Sequence, residues 1–571
     1  MFFDAMLLAR AKAEIERELL GPRVREVVQL HHDEVALAFG RGPGPVTLLL
    51  SSSPQFGRVH LSGPLDVKGQ AQAFGLALRK HLRGARLASV AQPGFDRVLR
   101  LEFAECEGFG TECRRTLVVE VMGKHGNMAL LDEEERILSC AKHVPARLNR
   151  YREIMEGEPY LPPPSFDKLD PREATADGLR DRMAPPLSTF LRDHILGAGK
   201  VFAAEVVARL GESPPSLDAL AALLRALPAE AACPGPVYVY AGPTGSGLPA
   251  RFAHPVPLQC AGPPTDEAPN LGAALAPLAL AERTAQRERE LRERLSGCAR
   301  AHLRDLADRL SAMQAQVRKA EKSAALRRTA ELLLAQPHAA QPYASEVELT
   351  DYFTEGAPTI TVPLDPPGDA LGAAQRLFDR CKRAARTLER VPPLIEQVER
   401  ETEYLTAVLA EIDLAQDLED LTGVRDELRQ EGYLRERQQT RKPSLTRAAR
   451  PQPRQRVSAD GLPILYGANH LQNDELVRLA APDDLWLHVQ AAPGSHVLIR
   501  TNSHPERVPR RTLLEAATLA AQLSRLRNQD TVEVDYTLAK HVRRQKGERP
   551  GMVFYTHQKT VTVRPGERPS A

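Results

Sequence analysis

Cysteine, tryptophan and long apolar runs are what this 571-residue chain has least of. Its seven cysteines (Cys106, Cys113, Cys140, Cys233, Cys260, Cys298, Cys381) are scattered, and none forms a CxxC pair. That spacing argues against a zinc site and gives a disulfide framework no support. No stretch of eighteen consecutive apolar residues occurs, so no membrane-spanning helix and no membrane partner are expected. The opening segment, MFFDAMLLARAKAEIERELLG, is interrupted by Asp4, Arg10 and Lys12, which suits an amphipathic helix and not a signal peptide. The expected location is therefore cytoplasmic. A glycine-rich phosphate loop and a convincing nucleophile–base pair are also missing. No catalytic residue, cofactor or metal is assigned.

The length points to three or four domains, and 42% hydrophobic residues suffice for buried cores. A net charge of +2 conceals one uneven stretch. Nine Arg or Lys residues lie between Arg429 and Arg456, opposed by Glu431 and Glu436 alone. A solvated linker and a phosphate-contacting segment are both open readings.

The pattern is that of an α+β multidomain chain. Residues 1–170 read as one α+β domain. A first helix runs from Ala5 to Leu20 and stops at Gly21-Pro22. VREVVQL, EVALAFG and VTLLLSS read as strands. A helix from Ala71 to Leu82 follows, and then RVLRLEF, RTLVVEVM, NMALLD and ILSCAKHV as further strands. Gly123 to Asn127 reads as a tight hairpin turn. Residues 171–270 read as a helix-hairpin-helix-like region with loops, around Gly197-Ala198-Gly199. A plain helix connection and a phosphate-binding turn both fit that triplet.

Residues 271–440 read as a long antiparallel coiled-coil stalk. Leu306, Leu310, Met313, Val317 and Ala320 step by four and three in one arm. Leu394, Val398, Leu405, Val408 or Leu409, and Ile412 do so in the other. A small β tip near 345–365 joins them. Arms of about 60 residues would reach roughly 90 Å. Dimerisation through the same stripe is the alternative. A basic linker, 441–456, leads to an α+β domain over 457–571.

Strand alternation in FDRVLRLEF puts Arg97 on the apolar face with Phe95, Leu99 and Leu101. There it needs a partner, so a structural ion pair is one reading. The other places Asp96 and Arg97 just before the strand, facing a groove. In LWLHV, Trp486 and His488 share a face, which suits stacking on unpaired bases or packing on a helix from Leu513 to Arg527. Thr512 with Glu515 reads as that helix's capping box. Pro493-Gly494-Ser495-His496 reads as a turn with free backbone donors. Lys540, His541, Arg543, Arg544, Lys546 and Arg549 form a basic cluster, either a phosphate surface or a solubilising loop.

Several stretches resemble the NFACT family. PGFDR, ALRKHLRGARL, VEVMGKHGN and ERILSCAKHV resemble its N-terminal domain. GLPILYGANHLQNDEL, DDLWLHVQAAPGSHVLIR and the block from VDYTLAK to VTV resemble its RNA-binding domain, NFACT-R. The stalk resemblance rests on EVELTDYF, TVPLDP and VRDELRQEGYL. The resemblance implies a ribosome quality-control factor that binds large ribosomal subunits, stalk-base region included, still carrying peptidyl-tRNA. It implies recruitment of tRNA, chiefly alanyl-tRNA, for mRNA-independent alanine tailing. Peptide transfer would stay with ribosomal RNA, and an accessory quality-control protein could assist.

By the same resemblance Asp96, Arg97, Glu120, Met122, Gly123, Lys124, His125 and Asn127 are tRNA-binding candidates. Asn473, Asp474, Trp486, His488, Ser495, His496, Lys540, Arg543, Arg544 and Lys546 are RNA-binding candidates. The N-terminal domain is also similar to formamidopyrimidine-DNA glycosylases. Phe2 and Phe3 stand where their proline nucleophile and glutamate would be, so lyase chemistry is not expected. The family often opens with Phe-Asp-Gly, whereas this chain has Phe3-Asp4-Ala5. The extra C-terminal domain of eukaryotic members is not expected, which points to the bacterial type. A fibronectin-binding surface adhesin and a nucleic-acid-binding scaffold without elongation activity are the competing readings.

Overall fold

A computed structural model describes residues 1–40, 46–64, 72–106, 112–164, 166–183, 185–211, 216–242, 248–340, 343–434, 452–544 and 550–566. The chain divides into two compact units, 1–285 and 286–571. Most of the basic stretch before residue 452, together with Lys546 and Arg549, lies outside the described residues.

The first unit is built on one antiparallel sheet. Its strands are β1 (Arg23–His31), β2 (Glu34–Gly40), β3 (Val46–Ser51), β4 (Arg58–Ser62), β5 (Arg86–Ala91), β6 (Val98–Cys106), β7 (Glu112–Glu120), β8 (Asn127–Leu131) and β9 (Ile137–Cys140). Their order is β4-β3-β2-β1-β5-β6-β7-β8-β9. Helix α1 (Ala5–Leu19) is buried on two sides. Leu7, Leu8 and Ile15 pack on the sheet with Leu78 and Leu82 of α2 (Ala73–Leu82). Ala5, Met6 and Ala9 face a second core of short helices. These are α3 (Ala176–Arg180), α4 (Leu187–His194), α5 (Lys200–Leu210) and α6 (Leu217–Ala232). Asp4 caps α1 by accepting from Leu7 N at 2.9 Å. A three-stranded sheet of β10 (Val237–Ala241), β11 (Arg251–His254) and β12 (Asp266–Ala268) completes this unit.

Helix α7 (Leu271–Ala324) begins in the first unit and continues through the second. At 54 residues it is roughly 80 Å long. α8 (Arg327–Ala335) follows, then the paired β13 (Ala344–Thr350) and β14 (Thr359–Gly368), then α9 (Ala370–Leu414). The β tip is thus where its sequence places it. α7 and α9 run antiparallel: Cys381 Sγ donates to Ser323 O at 3.2 Å, and Arg292 donates to Ala415 O at 2.8 Å. Leu306, Val398, Leu405, Val408 and Ile412 form the seam. Leu394 does not; it is 41% exposed.

The second arm also differs from a single helix. It breaks after Leu414, and Asp417 caps a new helix, α10 (Leu418–Gln430), by accepting from Asp420 N at 3.0 Å. α10 folds back on α9, burying Leu421, Val424 and Leu428 against Leu405 and Ile412.

The last domain is a six-stranded sheet of order β15-β16-β18-β17-β19-β22. The strands are β15 (Arg454–Val457), β16 (Pro463–Tyr466), β17 (Leu485–Val489), β18 (Val497–Ile499), β19 (Val532–Leu538) and β22 (Lys559–Val563). α12 (Arg510–Gln522) covers one face through Ala516, Ala517 and Ala520, against Leu487, Val489 and Val534. α11 (His470–Leu479) and the short pair β20 (Val542–Arg543) and β21 (Phe554–Tyr555) cover the other, around Leu476 and Trp486. α12 starts three residues before the expected position, so Thr512 is no cap. Its buried hydroxyl donates to Asp460 Oδ2 at 2.6 Å, and Glu515 accepts from Ala459 N at 3.0 Å.

Candidate functional site

Asp96 and Arg97 lie just before β6, which begins at Val98. The strand-face reading of Arg97 is therefore corrected: it is half-buried and belongs to no apolar face. Nor is it a structural ion pair. The Asp96 carboxylate accepts from Arg97 N at 2.7 Å, and Gln92 Nε2 holds Asp96 O at 2.8 Å. Arg97 O accepts from Val121 N at 2.9 Å, which carries the ladder one step past β7. No ion-pair partner for the Arg97 guanidinium occurs among the described residues.

Both side chains line a cleft of about 700 Å³ together with Met122, His125 and the Gly197–Gly199 turn. The helix-hairpin-helix region thus forms one wall. Gly197 has φ +71°, and a Cβ there would stand 1.9 Å from Phe95 O and 2.8 Å from the Ala5 methyl. Only glycine allows the turn to approach the Asp96 loop so closely. Gly199 precedes α5 without a side-chain cap, so the first N–H groups of that helix open near the cleft.

The expected hairpin turn is a single 3-10 turn, Gly123–His125, between β7 and β8. Gly123 takes φ +59°. Lys124 and His125 are exposed, and Met122 is half-buried. Glu120 and Asn127 are different. Glu120 is 2% exposed and meets Arg152 through two bonds of 2.6 and 2.7 Å, while Tyr160 donates to it at 2.8 Å. Asn127 ties the turn to Lys142, accepting from its N at 2.9 Å and donating to its O at 2.7 Å. Both are buried, and Arg152, which Glu120 holds, lines the cleft. Arg152 and Tyr160, which sequence reading missed, are joined to Glu120 only by folding.

In the last domain the candidates split likewise. Trp486 is 1% exposed and packs with Leu476, Leu498 and Val542 on the sheet face opposite α12, not against that helix. Its indole is no open stacking platform. The expected free donors at 493–496 are taken: Ser495 N donates to Leu523 O at 3.0 Å, and His496 N to Asn473 Oδ1 at 3.0 Å. Asp474 accepts from Gly551 N at 2.9 Å and pairs with Arg544 at 2.8 Å. Arg543 is exposed, and Lys540 lies 3.5 Å from Asp483. Burial lowers the pKa of His488 and His496, so both imidazoles are neutral at pH 7.

One titratable cluster was not legible in the sequence. His470 Nδ1 lies 2.9 Å from Glu427 Oε1 and 3.3 Å from Glu411 Oε2. Tyr404 donates to Glu427 at 2.7 Å. The Glu411 and Glu427 carboxylates and the His470 imidazole could meet a divalent cation. Burial opposes the imidazolium, but Glu411 and Glu427 outweigh it and push its pKa up to about 9. The cluster thus fastens α9 and α10 to α11 through a protonated His470, while burial pushes the Glu411 carboxyl well above the usual carboxylate range.

A cleft lined by Asp96 and Arg97, a long paired-helix stalk and a separate α+β domain define a multidomain α+β protein. The chain belongs to the NFACT family: the model of the NFACT N-terminal and middle domains matches residues 4–446, and that of the NFACT protein RNA binding domain matches residues 454–555. It is similar to "Rqc2 homolog RqcH" of Bacillus subtilis (strain 168), with 29% identity over 96% of this chain and 95% of the relative. The relative of the same name in Streptococcus suis (strain 05ZYH33) is 30% identical over 96% and 95%. Among solved structures, the N-terminal part of the fibronectin/fibrinogen-binding protein from Streptococcus suis matches 49% of this chain and 99% of its own, with TM-score 0.41 and 25% identity. Among the described residues, no helix is long and apolar enough to cross a membrane.

Proposed function

We propose that this protein is a ribosome quality-control factor. It binds large ribosomal subunits that still carry peptidyl-tRNA and recruits tRNA, in this reading alanyl-tRNA, for mRNA-independent alanine tailing. The end-to-end similarity to proteins named as Rqc2 homologues carries the role. The Asp96–Arg97 cleft supports the residue assignment. The Arg97 guanidinium, without an ionic partner among the described residues, suits a phosphate or a base edge. Lys124 and His125 stand exposed on the adjoining turn, and Asp96 adds an acceptor.

The protein positions tRNA and the ribosomal RNA transfers the peptide, so its contribution is proximity and orientation. In the full reading the α7–α9 stalk reaches the stalk-base region, and an accessory factor can act alongside. The test is the double variant Asp96→Ala/Arg97→Ala in cells. Ribosome association should largely survive while alanine tails disappear. Unchanged tailing would remove this pair from the mechanism, and export of the protein to the cell surface would favour an adhesin instead.

A further inference from the structure

We propose that the cavity between α9 and the sheet of the RNA-binding domain receives one unstacked nucleobase of a single RNA strand. This rests on the RNA-binding reading of residues 454–555 and adds where, and by what chemistry, a strand is held. The cavity has a volume of about 710 Å³, and His488, His496 and Tyr555 line it together with Ala407 and Arg400 of α9. Recognition pockets of this size bury most of a small planar ligand.

Its lining suits a heterocycle better than a phosphate. The His488 ring lies parallel to Trp486 at 5.8 Å, and His496 stands edge-on to both at 5.2 Å. Both imidazoles are neutral, so each has one donor and one acceptor nitrogen, and a ring nitrogen left open can meet a base edge. His488 Nε2 donates to Gly494 O at 3.3 Å, which fixes that ring. His496 is held through its backbone by Asn473, yet its buried Nδ1 has no hydrogen-bond partner among the described residues. A buried polar atom left unpaired is costly, and a base edge in the cavity would satisfy it.

Half-buried Tyr555 and exposed Met552 supply an apolar wall for stacking. At the rim, exposed Arg400 has no ion-pair partner among the described residues and can meet the flanking phosphate. Glu401 and Glu403 line the same rim, so its mixed charge disfavours a polyanion entering and favours a neutral ring. The His470 imidazolium is already held by Glu427 at 2.9 Å.

The experiment is fluorescence anisotropy on the full chain. The probes are a labelled single-stranded RNA decamer and the same sugar–phosphate chain carrying abasic positions. The base-bearing strand should bind about tenfold more tightly. Ala407→Trp, which fills the cavity from α9, should abolish that preference and leave abasic binding unchanged. Equal binding of the two strands by the unmodified protein overturns the pocket but leaves the RNA-binding reading standing, as does a preference that survives Ala407→Trp. Failure to bind either strand overturns both. If Ala407→Trp does not fold, histidine-labelled NMR of the unmodified protein decides. Ring signals of His488 and His496 that move on adding the decamer support the pocket, and unmoved signals refute it.

Discussion

Replacing Glu120 by glutamine separates a supporting residue from a contacting one. The Glu120 carboxylate holds Arg152 at 2.6 and 2.7 Å and accepts from Tyr160 at 2.8 Å, with both charged side chains over nine-tenths buried. Glutamine keeps the shape but leaves the Arg152 charge buried and uncompensated. Removing one partner of such a pair costs about 3–5 kcal/mol. For a unit of this size each kcal/mol lowers the melting temperature by about 2–4 °C, so Glu120→Gln should melt about 10 °C lower. Arg97→Ala removes a half-exposed side chain with no ionic partner among the described residues, and should change stability by less than about 0.5 kcal/mol. The assay pairs calorimetric melts of both variants with tRNA affinity measured well below the lower melt. Arg97→Ala should lose affinity at an unchanged melting temperature. A Glu120→Gln protein that melts like the unmodified chain yet no longer binds tRNA would refute the reasoning, because Glu120 would then be a direct contact.

Gly197→Ala should lower stability by at least about 1–2 kcal/mol from its φ of +71° alone, and the clash with Phe95 O should displace the Asp96 loop. A melt and tRNA affinity equal to the unmodified protein would contradict that packing. Raising the pH should weaken the second unit through His470. Its pKa is raised from 6.5 to about 9, so the stabilisation is complete below pH 6.5 and is lost as pH climbs through 9. At 1.36 kcal/mol per pKa unit, the loss is at most about 3 kcal/mol. Urea midpoints at pH 7 and pH 10 should converge toward each other in His470→Ala, and a variant with the full pH dependence would exclude the triad as its source. Trp486, the only tryptophan, gives the RNA-binding domain its own fluorescence signal. Trp486→Ala should destabilise that domain by about 3–5 kcal/mol, and Trp486→Phe should fold and keep its RNA affinity. Loss of affinity in a stable Trp486→Phe protein would make the indole a contact.

The elements with strong local patterns were legible. EVALAFG is β2 residue for residue, and α1 ends one residue from its expected stop because Gly21-Pro22 ends it. The β tip follows from its prolines and β-branched run. What failed depended on partners remote in sequence. Alternation alone carried Arg97 into the strand, yet Asp96 bonds to the Arg97 N–H and the strand starts one residue later. Thr512 and Glu515 have capping-box spacing, but Asp460 and Ala459, some fifty residues earlier, take their polar atoms. The break after Leu414 had a cue in Asp417, a good cap hidden in a continuous polar pattern. Of the cleft, Asp96, Arg97, Met122 and His125 were found through family resemblance. Glu120 and Asn127, expected as tRNA contacts, are buried and bonded to Arg152, Tyr160 and Lys142. Arg152, Tyr160 and the Glu411–Glu427–His470 triad carry no local signal, because only the fold brings them together.

The proposed role is to handle tRNA on large ribosomal subunits. Its most direct test is to recover the tagged full-length protein from cells, sediment it through a sucrose gradient and sequence the RNA that travels with it. Co-migration with large subunits and enrichment of alanine tRNA are the predicted result. Protein that sediments free of ribosomal RNA, or is recovered at the cell surface, would contradict the account.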